Sequence, residues 1–371
     1  MQLKRLGIMQ RLLRKVPVYL KCLNKNKQKI GVRFISSSIP EDRVIFSGIQ
    51  PTGVPHIGNY LGAIKYWVSL QQEPGKIFYS IVDLHSITIP RERDSLHCHI
   101  LDMTACLLAC GIDPEHSVLF QQSDIPEHTL LSWAIGCVVP VNRLKILPQW
   151  QERMKQSKDG GHIGTFTYPV LQSADILLYK ATHIPVGEDQ LIHINLTNEL
   201  AQVMNRRLLK PFFPRVHSIS TSTSTRIRNL RDPSVKMSKS AYSEQTRIEL
   251  TDSDDHIWRK IRRSVTDCTS EIAYDPENRP GVSNLIEIHC GFSNLTPDEV
   301  CADAKGLDTG QYKRVVADAV ITVLAPLRQR FHRLRNDEGH LRSVLKNGAD
   351  RAREVAVANW ECVRRLLGLC A

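Results

Sequence analysis

Three features of this 371-residue chain predict a doubly wound parallel α/β sheet followed by an all-helical C-terminal region. Short β-branched and aromatic runs alternate with helical stretches from residue 43 to about 210, the pattern of parallel strands joined by crossover helices. Beyond about residue 250 only helical periodicity remains. The length exceeds one ordinary domain, and 42% apolar residues suffice for a large core.

The elements follow in order. Val44-Ile45-Phe46-Ser47 reads as the first strand, closed by Gly48, Pro51 and Gly53 and followed by a helix from about Gly58 to Gln72. Ile77 to Val82 is the second strand. A helix from Asp94 to Cys110 stops at Gly111, with Pro114 shortly beyond. Ser117 to Phe120 is the third strand. Helices follow near Glu127 to Cys137 and Tyr168 to Tyr179, then a strand over His183 to Val186 and a helix from Gly187 into Arg206. The polar stretch between Lys155 and Thr167, with its run Lys158-Asp159-Gly160-Gly161, and the Ser- and Thr-rich residues 214–226 read as loops. Helices are then expected over Asp255 to Ser264, Thr296 to Ala304, Tyr312 to Leu334 and Leu341 to Leu367. Domain bounds of 1–40, 41–245 and 246–371 fit these shifts.

The net charge of +11 is concentrated at one end. Residues 1–40 carry ten Lys or Arg and no Asp or Glu, leaving 39 basic against 38 acidic residues beyond them. An acid-free leader with interspersed Leu and Val and the run Ser36-Ser37-Ser38 predicts a transit peptide of the mitochondrial type, hence a matrix location; a basic tail that touches RNA is the alternative. No stretch approaches the roughly 18 uncharged apolar residues of a bilayer span, so no membrane is expected. None of the ten cysteines forms a Cys-x-x-Cys pair, and no metal site is expected; Cys106 and Cys110 read as buried thiols on an apolar helix.

Two pentapeptides about 180 residues apart carry the chemistry: Pro55-His56-Ile57-Gly58-Asn59 and Lys236-Met237-Ser238-Lys239-Ser240. The first, with Gln50-Pro51-Thr52-Gly53 before it, lies where a strand turns into a helix, so free backbone N–H groups and the helix dipole favour phosphate. Gly58 lets a purine ring approach the backbone, and His56 and Asn59 offer donors to a triphosphate. Lys236 and Lys239 place two ammonium groups near departing pyrophosphate, and Ser238 and Ser240 add donors. Either string alone is ambiguous; together they describe a two-part clamp for ATP.

These strings resemble the HIGH and KMSKS signatures of class I aminoacyl-tRNA synthetases, with Asn59 in the last place of the first and the second unaltered. Phe46 to Gly53, Asp83 to Thr88, Ala174 to Tyr179, Pro185 to Gln190 and Tyr274 to Leu285 extend the resemblance to tryptophanyl-tRNA synthetases of the bacterial and mitochondrial type, from about Arg43 to the C-terminus. The resemblance implies a Rossmann-like catalytic domain with a helical anticodon-binding domain, and activation of L-tryptophan by ATP with Mg²⁺, then transfer to tRNA(Trp). It implies a homodimer as well.

By the same resemblance Asp175 accepts the indole N–H, and Phe46, His85, Tyr168, Gln172 and Val186 shape that pocket. Gln172 stands where bacterial relatives carry Met. A buried carboxylate needs a donor, so a ligand without one would leave Asp175 unpaired. Gly187, Glu188 and Asp189 suit the adenosine ribose, and the Ile227 backbone meets adenine. The catalytic set is His56, Asn59, Lys236 and Lys239; the ATP set adds Gln50, Thr52, Gly58, Gly187, Glu188, Asp189, Ile227, Met237, Ser238 and Ser240. Ala241-Tyr242 replaces the frequent Asp-Pro after the second signature. Residues 327–371 hold ten basic and five acidic side chains, a local net of +5 that suits RNA and an ordinary solvated helix face equally. Tyrosyl-tRNA synthetase and a catalytically silent RNA-binding paralogue are the rival readings.

Overall fold

The computed structural model describes residues 43–89, 93–156, 161–187, 190–219, 226–239 and 243–369. The basic leader, most of the Lys158 to Gly161 run, Glu188, Asp189, Ser240 and Ala241-Tyr242 lie outside the described residues.

Five parallel strands form one sheet in the order β3-β2-β1-β4-β5. They are β1 (Val44–Ile49), β2 (Lys76–Ile81), β3 (Val118–Gln121), β4 (His183–Pro185) and β5 (His217–Ile219). Phe46 pairs with Phe78 and Phe78 with Val118, so like residues share a face. The 214–226 stretch is not all loop, because His217 to Ile219 adds to β4 as β5. Three residues with no apolar alternation leave no periodic signal.

Alternation along the strands separates two cores. Ile45, Ile77, Tyr79, Ile81 and Leu119 point to one, and Phe46, Phe78, Val118 and Phe120 to the other. The first is closed by α1, by α3 (Arg93–Cys110) and by helices from beyond residue 250. Here α1 is built from Ile57–Asn59, a π-helical turn over Tyr60–Ile64, and Lys65–Leu70, while α2 is the short Asp83–Ser86. The second core is closed by α4 (Glu127–Gly136), α7 (Ile163–Leu178) and α8 (Leu191–Arg207). Between these lie α5 (Val141–Lys145) and α6 (Pro148–Gln156), which carry no strong sequence signal, and α7 already begins at Ile163, inside the loop expected between Lys155 and Thr167. On α3, burial raises the thiols of Cys106 and Cys110, the latter to about 12.

The C-terminal region holds α9 (Asp254–Arg262), α10 (Pro280–Ser293), α11 (Pro297–Asp303), α12 (Thr309–Arg335) and α13 (Glu338–Leu366). Thr296 caps α11 in a capping box with Glu299, and Pro297 occupies its first turn. Helix α10 was not anticipated: its Gly281, Asn284, His289 and Gly291 interrupt the apolar rhythm, yet Val282, Leu285, Ile286 and Ile288 are buried. Both cores draw residues from either side of position 245, and Ala349, Ala352, Ala356, Trp360 and Val363 of α13 complete the second. At Gly348 this helix comes so close that an added Cβ would lie 1.7 Å from the Leu119 carbonyl oxygen of edge strand β3. No helix among the described residues is long and apolar enough to cross a membrane.

Candidate active site

The chain runs outward through β1, β2 and β3 and then returns to place β4 beside β1, so a topological switch point lies between β1 and β4. Open α/β sheets bind ligands in the crevice beyond the carboxyl ends of the strands at such a point. Gln50 to Asn59 follow β1, His85 follows β2, Gln122 follows β3, and Val186 and Gly187 follow β4. The two signature segments meet on this edge.

His56 opens α1 as its N-cap, with Nδ1 accepting from the Gly58 N–H at 3.1 Å. An accepting Nδ1 leaves the ring proton on Nε2, and the ring is neutral, because burial and then Lys239, Arg247 and Lys236 lower its pKa to about 4. Asn59 closes the capping box, its Oδ1 accepting from the His56 N–H at 3.2 Å, which leaves both Nδ2 protons out of that bond.

The second signature docks onto the first. Lys239 Nζ donates to the Gly53 carbonyl at 2.7 Å and to the Thr52 carbonyl and Oγ1 at 3.2 Å. Ile57 N–H donates to Ile248 O and Leu250 N–H to Pro55 O, so the segment after the lysine loop is stitched to the His56 turn. Met237 is buried and its N–H donates to Ile227 O at 3.1 Å. A Cβ on Gly58 would lie 3.8 Å from Ile227 Cβ, which brings together the two positions expected at adenine. Lys236 is exposed and pairs through its backbone with Arg228; Gln50 is exposed, and Ser238 is half-buried. Asn284 of α10 was not foreseen: its Oδ1 accepts from Arg228 N–H and its Nδ2 donates to Arg228 O, clamping the segment next to Ile227.

On the other core face, Tyr168, Gln172 and Asp175 stand at i, i+4 and i+7 along α7 and share one side of it. Asp175 is 2% exposed, and the expectation that only a ligand would pair it is corrected. Oδ2 lies 2.8 Å from His85 Nε2; Oδ1 accepts from Gln122 Nε2 at 2.8 Å and lies 2.7 Å from His128 Nδ1. A carboxylate this deep needs donors in the unliganded protein too. Burial opposes its ionisation, but hydrogen bonds from His128 and His85 prevail and hold the carboxyl below the usual range.

Tyr168 is half-buried, edge-on to His85 and 3.3 Å from His193 Nε2 through its hydroxyl. Gln172 Nε2 donates to Gln190 Oε1 at 3.3 Å. Phe46 stacks on Tyr179 at 5.5 Å, and Val186 N–H donates to Ile219 O. Gly187 is exposed, and its carbonyl accepts from Gln190 N–H. Sequence reasoning missed Gln122, His128, Tyr179 and His193; a polar residue directly after a buried strand was the available signal for Gln122.

A family model described as tRNA synthetases class I (W and Y) matches residues 40–325. The chain is 39% identical over 351 residues to the mitochondrial tryptophan–tRNA ligase of Caenorhabditis elegans, covering 93% of this chain and 96% of that one. A crystal structure of tryptophanyl-tRNA synthetase from Mycoplasma pneumoniae is similar at a TM-score of 0.80 and 27% identity, over 89% of this chain and 98% of that one. One from Campylobacter jejuni, complexed with ADP and tryptophan, gives 0.75 and 29%, over 88% and 99%. With both signature segments joined at the switch point of a parallel sheet, the chain belongs to the class I tRNA synthetases of the tryptophan and tyrosine branch.

Proposed function

We propose that this synthetase is a tryptophan–tRNA ligase. The observation that carries the reading is the reach of Lys239 to the Thr52-Gly53 turn, with the buried Asp175 cluster at the same sheet edge. The names of the similar proteins support tryptophan as the amino acid.

In the first step the tryptophan carboxylate oxygen attacks the α-phosphorus of ATP; the new P–O bond forms as the bond to pyrophosphate breaks. The substrate brings its own nucleophile, so the protein supplies position and charge. Neutral His56 donates from Nε2 to the phosphates, with Asn59 Nδ2 beside it. Lys236 and Lys239 neutralise the leaving pyrophosphate; Met237 anchors their loop, and Ser238 and Ser240 add donors. Gly58 and Ile227 receive the purine, Gly187, Glu188 and Asp189 the ribose, and Gln50 and Thr52 the phosphate turn. Asp175 accepts the indole N–H through Oδ2, whose second lone pair supplements the bond from His85. Phe46, Tyr168, Gln172 and Val186 complete that pocket. In the second step a terminal ribose hydroxyl of tRNA(Trp) attacks the carbonyl carbon, and AMP leaves.

No group of three His, Cys, Asp or Glu side chains among the described residues could hold a metal ion. Magnesium would accompany the triphosphate. We assign residues 41–245 to catalysis and 246–371 to the anticodon. The mitochondrial relative and the acid-free leader support action in the mitochondrial matrix. Leu130 and Trp133 on α4, Val141 at the start of α5 and Ile146 just after it are exposed and apolar, surface of the kind a homodimer would cover.

ATP–pyrophosphate exchange on protein lacking residues 1–40 tests the reading with each amino acid in turn. Tryptophan alone should stimulate it, and Asp175→Ala should abolish most of it. Stimulation by tyrosine and not tryptophan would end the assignment.

A further inference from the structure

Asp175 and Tyr179 stand one helical turn apart at the end of α7, and one imidazole bridges them. His128 on the first turn of α4 is fully buried, with Nδ1 2.7 Å from Asp175 Oδ1 and Nε2 2.9 Å from the Tyr179 hydroxyl. An ionised carboxylate only accepts, so Nδ1 carries a proton, and Nε2, the other nitrogen of the ring, pairs with the Tyr179 hydroxyl.

Gln122, also fully buried, donates Nε2 to the same Oδ1 at 2.8 Å. Reversing its amide would set an oxygen against a carboxylate, so the assignment follows from chemistry. Oδ1 is thereby saturated: both lone-pair positions are taken. Oδ2 holds one bond, from His85 Nε2, and keeps capacity for a second.

We propose that His128 is a positioning residue for amino-acid selection: oriented by Tyr179, it joins Gln122 in filling Oδ1 and so reserves Oδ2, beside His85, for one N–H donor of the substrate. This rests on reading Asp175 as the amino-acid subsite. His128 itself touches no substrate. The groups facing the carboxylate from other elements are His85 on α2, Gln122 after β3, and His128 on α4; Tyr179, Tyr168, His193 and Glu127 form the surrounding ring of titratable side chains.

The geometry predicts a split between substrates. His128→Phe fills the space but removes the donor; in pyrophosphate exchange its KM for tryptophan should rise roughly tenfold to a hundredfold, the span of a lost bond to a charged group. Its KM for ATP should stay within about twofold. Since the bond from His128 holds the carboxyl ionised, the tryptophan-binding limb of the pH profile should move to higher pH in the variant. His128→Asn, whose Nδ2 can replace Nδ1–H, should recover most of both effects. Parallel changes in both KM values, or an unmoved pH profile in the folded Phe variant, would overturn the proposal.

Carbon-13 titration of the Asp175 carboxyl decides it without substrate. The signal should stay ionised across the folded range in the unsubstituted protein and in His128→Asn, and titrate at higher pH in His128→Phe; a Phe curve coincident with the unsubstituted one, or an Asn curve displaced as far as the Phe one, overturns the proposal. Failure of tryptophan-dependent exchange in the unsubstituted protein would instead strike the amino-acid reading.

Discussion

Lys239 Nζ stands 2.7 Å from the carbonyl oxygen of Gly53 although 186 residues of chain separate the two. In this position the ammonium group is held by three oxygens of the turn that follows β1. A triphosphate entering that turn would offer it stronger, charged acceptors. Lys239→Ala should therefore lower kcat for pyrophosphate exchange by about 10²- to 10³-fold, or about 3 kcal/mol, with KM for tryptophan little changed. Lys239→Arg should retain part of the rate. Single-turnover measurement of adenylate formation checks the step directly.

Two neutral histidines give the fold an acid limit. His56 and His289 are both lowered to about 4, in each case chiefly by burial. The folded state binds fewer protons than the unfolded one, so their contribution is complete above pH 6.5 and is lost as pH falls toward 4, at most about 3 kcal/mol for each ring. His289 lies beside the Tyr312 hydroxyl, and His289→Asn should remove about half of the slope. Urea unfolding at pH 7.5, 6 and 5 would show it; parallel curves for the two proteins would refute it.

Gly348 should tolerate no side chain. With a Cβ 1.7 Å from a backbone carbonyl that cannot move aside, Gly348→Ala must push α13 off β3 and cost about 3 kcal/mol or more. The check is the shift of the urea midpoint. Gly136, where an added Cβ meets nothing, serves as a control: Gly136→Ala should be neutral or stabilising.

Trp133 is 77% exposed, a large apolar surface for a helix facing water. Trp133→Asp should weaken self-association by at least about 2 kcal/mol, roughly 30-fold in dimer Kd, measured by sedimentation equilibrium. A monomeric unsubstituted protein would remove the dimer from consideration.

Much of the site was readable because its residues sit where sequence signals are local. His56, Gly58 and Asn59 follow a strand directly, and Lys236 to Lys239 stand in one short string. Tyr168, Gln172 and Asp175 share a helix face by simple periodicity. Of the groups that bond Asp175 only His85 was anticipated, and that through the family resemblance; Gln122 and His128 arrive from two further elements and no spacing rule links them. Asn284 escaped for the same reason: an Asn in a helix reads as a weak former, whereas here it binds the backbone of Arg228 across 56 residues. Strands β1 to β4 were legible from their apolar runs, while β5 and α10 depend on tertiary partners that periodicity does not carry.

Helix α13 lies along β3 and finishes the core that Phe120 enters some 230 residues earlier. During synthesis the early strands thus wait, uncovered, for the last long helix to emerge. Loss of even its final turns, which carry Trp360 and Val363, would leave an apolar sheet edge open to sticking to its neighbours.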